Sequence, residues 1–358
     1  MGSTKIGILT FQDTTNYGAC LQSIALVRMI CEMGYDCEII WYECENIVKR
    51  ELPVNLFRSD VFLNPKEFIS KLFQIKKYRR IKAFMNKYGK YSEKRYNRST
   101  IHLANNEYDK FISGSDIIWE LNVTRGDYSF FLDFVIDNKR KFSYSSSFGY
   151  EVIPEEYLVS SKRLLAQYEL ISTRERNGAE MIYDAIGKHV PITLDPTLLF
   201  RAEKWVSFEE KKSINRKYVL LYFDDSNHKA LEFAKELCRK NGLMLIHLTD
   251  IISITLGVKN LRNVRVGQFL WLIHHAEYVV TGSYHGVVYS INYHTPFFYV
   301  NRAHQGRINT VVESLEIKNK DILSPDGTDS FFDWDKIDEK LERLREDSTN
   351  YLWEILKR

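Results

Sequence analysis

No stretch of this chain approaches the roughly 20 consecutive apolar residues that a membrane-spanning helix needs. No charged segment followed by a short apolar one stands near the start, so a secretion signal is not expected and a cytoplasmic location is. Net charge is nearly absent: 50 Lys and Arg face 47 Asp and Glu, which leaves +3. That balance argues against a general polyanion binder such as a nucleic-acid protein, while a local basic patch stays open. Cysteine is sparse. Cys20, Cys31, Cys37, Cys44 and Cys238 are odd in number and contain no CxxC, which fits reduced thiols better than a disulfide framework. No group of His, Cys, Asp or Glu has the ligand spacing of a zinc site. GxGxxG is missing, so a dinucleotide site has little support. Repeats, low-complexity tracts and Gly/Ser linkers are missing too. A domain boundary must therefore be read from the rhythm of the elements, and it falls near residues 185–200.

What is present is ample core material. The 358 residues are 44% hydrophobic, enough for two ordinary domains or one large one. Lys5–Phe11 (KIGILTF) reads as a strand, CLQSIALVRMICEMGY as a helix, and Asp36–Tyr42 (DCEIIWY) as a second strand. A β-loop-α-β opening is the mark of a doubly wound α/β domain. The same rhythm returns at 108–119, 131–135, 139–149, 169–183 and 189–200. A second α/β unit opens with KYVLLYFDD at 217–225 and continues through LMLIHLTD. The stretch from about Phe332 to Arg358 reads as an amphipathic helix, with Ile337, Leu341, Leu344, Leu352, Ile355 and Leu356 as its apolar stripe. Asp333-Trp334-Asp335, a superficial DxD, precedes it and reads as an N-cap. Residues 53–100 break the rhythm and read as a basic, aromatic helical insertion. From Lys76 to Arg98 ten Lys or Arg stand against one acid, Glu93. It is either a solvated insertion or a surface for anionic lipid or acidic glycan.

Chemistry concentrates at strand ends. In EYVVTGSYHGVVYSINYHTP (277–296) an apolar strand ends at Thr281 and Gly282, and His285 falls near the start of the following helix. Free N–H groups of a first helical turn attract anions, and an imidazole can move protons there. Ser283, Tyr284 and Gly286 surround it. Arg174 follows Leu170-Ile171 and either holds a carboxylate or phosphate or pairs with Glu175 or Glu180. Arg302, His304 and Arg307 form a cationic cluster past the strand FFYV. Asp116, in Gly114-Ser115-Asp116, can accept a proton from an alcohol or cap a helix. Trp119 can offer a sugar an apolar platform or pack in the core. Asn16 can cap a helix or bond a sugar hydroxyl, beside Tyr17 and Gly18. Asp195-Pro196-Thr197 reads as a structural turn. Strand-end loops of paired α/β domains converge on one crevice, so Arg174, His285 and Arg307 are expected to form an anion-binding cleft with an acid/base.

Six segments, NYGACLQ, FISGSDIIW, FSYSSSFG, ISTRERNGAE, LDPTLL and VVTGSYHGVVYSI, stand in order. Through them the chain resembles the polysaccharide pyruvyl transferase family over nearly its whole length. The resemblance implies an α/β fold of the GT-B kind: two Rossmann-like domains facing across a cleft, with the C-terminal helix packing back on the N-terminal domain. Residues 1–190 would be the acceptor side, 191–330 the donor side, and 331–358 the terminal helix. The implied reaction moves the enolpyruvyl group of phosphoenolpyruvate onto a hexose of a bacterial surface glycan or its lipid-linked precursor. It forms a cyclic pyruvate ketal and releases phosphate. Matching puts the acid on His285 and a donor-binding role on Arg174. Some relatives carry Arg where this chain has Ser283, so Arg302, Arg307 or the Ser283 hydroxyl is expected to take up that duty. Asp13 and Asp116 are the acceptor-side candidates, with Asn16, Tyr17, Gly18 and Trp119.

No cofactor and no metal are expected, since phosphoenolpyruvate is a co-substrate. The expected partners are that donor, the glycan or lipid-linked acceptor and, at the inner face of the cytoplasmic membrane, anionic lipid; nucleic acid is not. Two competing readings are a GT-B glycosyltransferase using a nucleotide sugar and a non-catalytic glycan-binding relative.

Overall fold

Parallel strands separated by helices build two sheets in the computed structural model, which describes residues 4–51, 65–223, 227–250, 257–300, 306–324, 328–329 and 331–358. The chain divides into two units. Unit 1 is Met1–Glu51, Lys82–Leu199 and Leu341–Arg358; unit 2 is Leu52–Ile81 and Phe200–Lys340.

In unit 1 the strands are β1 (Lys5–Leu9), β2 (Asp36–Tyr42), β3 (Tyr91–Tyr96), β4 (Lys110–Ser113) and β5 (Lys141–Ser143). Their order is β3-β2-β1-β4-β5, and every pairing is parallel. Ile6 sits opposite Cys37 on one side and Lys110 on the other. The helix Tyr17–Glu32 makes the crossover from β1 to β2 and is buried on nearly all sides through Val27. The central strand β1 is buried along nearly its whole length and reads as a near-continuous apolar run rather than an alternating one. Beyond β5 the sheet continues as isolated parallel bridges, Phe142 to Leu170, Ser146 to Thr173 and Thr173 to Ile192. Leu170, Thr173 and Ile192 therefore extend the sheet as single rungs. The core gathers Leu9, Phe11, Ile40, Phe111, Trp119, Phe130, Phe131, Phe148 and Ile182.

One expectation needs correcting. The insertion at 53–100 is helical only in part. A helix covers Pro65–Tyr88, and Tyr91–Tyr96 is the edge strand β3 of the first sheet; residues 53–64 lie outside the described residues. Ser92 Oγ accepts from Trp41 N at 2.8 Å, and Lys90 O accepts from Ile39 N at 2.7 Å. Exposed Glu93, Lys94 and Arg95 give this edge the charges that deter pairing with another chain. Those charges are what hide the strand from a hydrophobic-pattern reading.

In unit 2 the strands are β6 (Tyr218–Tyr222), β7 (Met244–Leu248), β8 (Val258–Leu261), β9 (Tyr278–Thr281) and β10 (Phe297–Tyr299). The order is β10-β9-β6-β7-β8, again all parallel. The helix His228–Asn241 joins β6 to β7 and buries Ala230, Ala234 and Cys238, one residue per turn on a single face. Asn227 caps its start through Ala230 N at 3.0 Å. Gly242 ends it at φ +66°, the left-handed C-cap that glycine adopts freely. Strand-order reversal beside β6 is the usual ligand position in such sheets.

The last helix, Trp334–Lys357, starts at Asp333, whose Oδ1 accepts from Lys336 N at 3.2 Å. The Asp333-Trp334-Asp335 run is thus a helix cap. From Leu341 onward the helix belongs to unit 1. There Tyr351 Oη donates to Ser143 O at 3.1 Å, Ser348 Oγ accepts from Leu194 N at 2.9 Å, and Leu352 and Ile355 are fully buried. All five cysteines are free thiols. Burial pushes the Cys20 thiol up and that of Cys44 to about 12, so these are packing residues. Among the described residues no helix is long and apolar enough to cross a membrane.

Candidate functional site

The C-terminal ends of the unit 1 strands carry a lattice of buried hydroxyls. Ser145, Ser146 and Ser147 follow β5 and are all fully buried. Ser145 Oγ donates to Thr193 O at 3.2 Å, and Ser146 Oγ to Ser113 O at 3.0 Å. Ser147 Oγ donates to Glu175 Oε1 at 2.8 Å. Small hydroxyl residues suit this place because each satisfies a loop carbonyl or carboxylate without needing volume. Ser145 and Asp116 both have positive φ, +51° and +79°. Non-glycine residues in that region are a local strain that packed surroundings must hold.

Arg174 sits in the middle of this lattice. Its side chain is 1% exposed, and Nη1 donates to Asp195 Oδ2 at 2.8 Å. Nη2 lies 3.7 Å from Asp116 Oδ1, and Nε lies 3.9 Å from Glu175 Oε2. Three carboxylates thus surround one guanidinium. Asp195 is further held by Thr197 N at 2.9 Å and Thr197 Oγ1 at 2.7 Å, with Ser115 Oγ at 3.3 Å. Arg174, expected to bind the donor, gives one guanidinium N–H to Asp195 and has Asp116 and Glu175 beside its other nitrogens. Asp195, read from sequence as a turn residue, is its main partner, and Glu175 is a weaker one. An acid 21 positions away leaves no local signal in the sequence for this pairing.

The other unit 1 candidates are placed as follows. Asp116 does not cap a helix. It closes a tight turn, Oδ1 accepting from Ile117 N at 2.9 Å, and it is nearly buried. Asp13 pairs with Lys82 at 2.8 Å, whose ammonium lies 4.1 Å from the Trp41 ring centre. Asn16 is the N-cap of the helix Tyr17–Glu32, accepting from Gly18 N at 2.8 Å and Ala19 N at 3.3 Å. Tyr17 and Gly18 are buried in that helix's first turn. Trp119 is no exposed platform. It is fully buried, donates from Nε1 to Phe130 O at 3.2 Å and stacks on Phe131 at 5.4 Å. Its indole is core because its one polar atom finds a carbonyl inside.

In unit 2 the loop after β9 is built as the sequence implies. Thr281 Oγ1 donates to Tyr222 O at 2.8 Å and accepts from Ser283 N at 3.0 Å, tying the ends of β9 and β6 to the turn. Ser283 is the N-cap of the helix Tyr284–Asn292 by backbone geometry, yet its hydroxyl makes no capping bond. No acidic residue stands in that helix's first turn, so no side-chain carboxylate there offsets the positive end of the dipole. His285 lies in this first turn, is nearly buried, and meets the Tyr284 ring edge-on at 5.2 Å. Gly286 is required by packing: a Cβ there would lie 2.5 Å from Thr281 Oγ1. Its lack of a side chain lets the helix approach β9. Arg307 is half-buried at the start of the helix Gly306–Ser314. Arg302 and His304 lie outside the described residues. The expected triad divides: Arg174 belongs to unit 1, His285 and Arg307 to unit 2.

Solved structures share this architecture. A putative UDP-N-acetylglucosamine 2-epimerase from Listeria monocytogenes aligns with 100% of this chain and 96% of its own, at TM-score 0.55 and 10% identity. The UDP-GlcNAc 2-epimerase of Methanocaldococcus jannaschii, bound to UDP-GlcNAc and UDP, covers 96% and 92% at TM-score 0.50 and 12% identity. An alpha-glucosyltransferase bound to UDP and DNA covers 97% and 91% at TM-score 0.50 and 10% identity. At such identities the likeness is one of fold: two Rossmann-like domains of the GT-B kind. No curated protein shows significant sequence similarity. The family model for polysaccharide pyruvyl transferase matches residues 16–304, a span that contains both the Arg174 cluster and the His285 loop, and the chain belongs to that family.

Proposed function

We propose that this transferase moves the enolpyruvyl group of phosphoenolpyruvate onto a hexose of a bacterial surface glycan or its lipid-linked precursor, forming a cyclic pyruvate ketal and releasing phosphate. One observation carries the reading: a nearly buried imidazole, His285, in an acid-free first helical turn whose N-cap hydroxyl is not used in capping. That is a place for an anion beside an acid.

The steps follow from the chemistry. Phosphoenolpyruvate carries a carboxylate and a phosphate. First-turn N–H groups, the Ser283 hydroxyl and Arg307 would hold these anions. His285 gives a proton to the methylene carbon, and positive charge develops at C2. A sugar hydroxyl adds to C2, its proton passing to a carboxylate; Asp116 is the candidate base. Phosphate leaves, and a second hydroxyl of the same hexose closes the ring, its proton returning to the His285 imidazole that gave one up. Arg174 is a positioning residue, holding Asp116 and Asp195 in one arrangement. No metal and no cofactor enter these steps.

The acceptor's lipid would bring the enzyme to a membrane surface. On the helix Pro65–Tyr88, Ile69, Leu72, Lys76 and Arg79 are exposed and recur at helical spacing on one face. Two aliphatics followed by two cations suit the interface of an anionic leaflet. Lys77, by contrast, is buried and pairs with Asp250 at 2.6 Å.

The test is phosphate release from phosphoenolpyruvate with and without a panel of lipid-linked or synthetic hexosides, with products identified by mass spectrometry. Acceptor-dependent release, a ketal on the sugar, and loss in His285→Ala are expected. Turnover of a nucleotide sugar with no release from phosphoenolpyruvate would overturn the reading. Flotation with liposomes that is insensitive to anionic lipid would overturn the membrane part alone.

A further inference from the structure

Sequence spacing alone offers no metal site, yet the fold of unit 2 brings three candidate ligands together. Among the described residues, Glu209, His274 and His275 bring one ligand atom each to within 4.8 Å of one another. We propose that these three residues bind a single divalent ion of the zinc class, with water as the fourth ligand.

Ligand chemistry and number fit. Two imidazoles, one carboxylate and an open position form a common zinc set. His274 Nδ1 and Glu209 Oε1 are 2.8 Å apart. A tetrahedral ion with bonds of about 2.0–2.2 Å would hold its ligand atoms about 3.4 Å apart. The first pair therefore opens by roughly half an ångström, and the His275 ligand atom moves in by at most about 1.5 Å, within reach of side-chain rotation.

The surroundings prepare the rings. His275 Nδ1 lies 3.1 Å from Trp271 O. A carbonyl only accepts, so Nδ1 carries the proton and Nε2 presents its lone pair, the tautomer set by a backbone partner that metal-binding histidines commonly use. The His275 ring stacks on Trp271 at 4.3 Å, and His274 stacks on Tyr293 at 4.5 Å. Both imidazoles are thus held flat against a neighbour. The Glu209 side chain is 8% exposed and that of His274 35%, while His275 is open to solvent. A nearly buried carboxylate with an exposed imidazole above it has an entry path for an ion. Tyr293 is buried and stacks on the His274 ring.

This site is independent of the transfer reading. Its elements are the segment after the helix Ala202–Val206 and the C-terminus of the helix Val266–His274. An ion there would staple the two.

Full-length protein stripped with a chelator is titrated with zinc chloride by calorimetry, and with cobalt(II) by visible absorption. One ion per chain and a tetrahedral cobalt spectrum are expected. Binding should weaken at least tenfold in His275→Ala, an exposed position where the chelated protein should melt as the parent does. It should weaken likewise in Glu209→Gln, which keeps a hydrogen bond to His274 but removes the anionic ligand. Binding of parental strength in both variants, or no saturable binding at micromolar zinc, overturns the proposal.

Discussion

Replacing Arg174 with methionine isolates the central electrostatic feature of unit 1. Methionine keeps much of the length and the apolar stem and removes the charge and five donors. The side chains of Asp195, Glu175 and Asp116 are 0%, 2% and 10% exposed. Without the guanidinium, three acidic groups remain in a nearly dry loop cluster. Breaking a buried pair by removing one partner costs about 3–5 kcal/mol, because the other charge is left uncompensated. For a unit of this size each kcal/mol lowers the melting temperature by about 2–4 °C. Arg174→Met should therefore melt about 6–20 °C below the parent in differential scanning calorimetry, in the transition of unit 1. Adding Asp195→Asn should restore part of that loss, with a coupling of about 0.5–3 kcal/mol, since the strongest uncompensated charge goes too. Two results would refute the reasoning: a loss below about 1 kcal/mol, well under the buried-pair range, or strictly additive effects of the two changes. A rise in KM for phosphoenolpyruvate at unchanged stability would return Arg174 to direct donor binding.

Gly286→Ala pushes a Cβ against Thr281 Oγ1, 2.5 Å away. It should cost about 1–3 kcal/mol by overpacking and shift His285, lowering both melting temperature and phosphate release; a variant that melts and turns over like the parent would show that the helix has room to move. Asn16→Ala removes the acceptor of two first-turn N–H groups and should cost about 1 kcal/mol in urea unfolding. Lost activity at unchanged stability would instead assign Asn16 to the acceptor. His247, nearly buried in β7, is held below the ordinary 6.5, first by burial and then by the Arg262 charge, with an Asn260 hydrogen bond opposing. Below pH 6.5 the unfolded chain takes up this proton before the folded one does, so stability falls with acidification until the folded-state pKa is passed. His247→Gln should flatten that slope by up to about 1.4 kcal/mol per pH unit, and parallel stability profiles for parent and variant would contradict it.

Periodicity carried far in this chain where burial is two-sided. Runs such as KIGIL and YVLLY have no polar face, and both became central parallel strands. The loop at His285 was legible because strand end, glycine and helix start are contiguous there. The edge strand Tyr91–Tyr96 was not, since an exposed edge is kept soluble by the charges that mimic a polar helix. Trp119 was open to two readings, and only the Phe130 carbonyl opposite its Nε1 decided for the core. The same holds for Asn16, whose amide could serve a sugar as readily as a helix start until its two N–H donors were in place.

The amino-acid sequence by itself determined the α/β alternation, the strand-end position of His285 and membership in a family, because each rests on residues close together along the chain. Tertiary structure alone decided which acid meets Arg174, since Asp195 lies 21 positions away and Asp116 more than twice as far. It also decided that Glu209 meets His274 across 65 positions. Charges and ligands act through distances of a few ångströms, and only the packing of sheet and helix turns distant sequence positions into such distances.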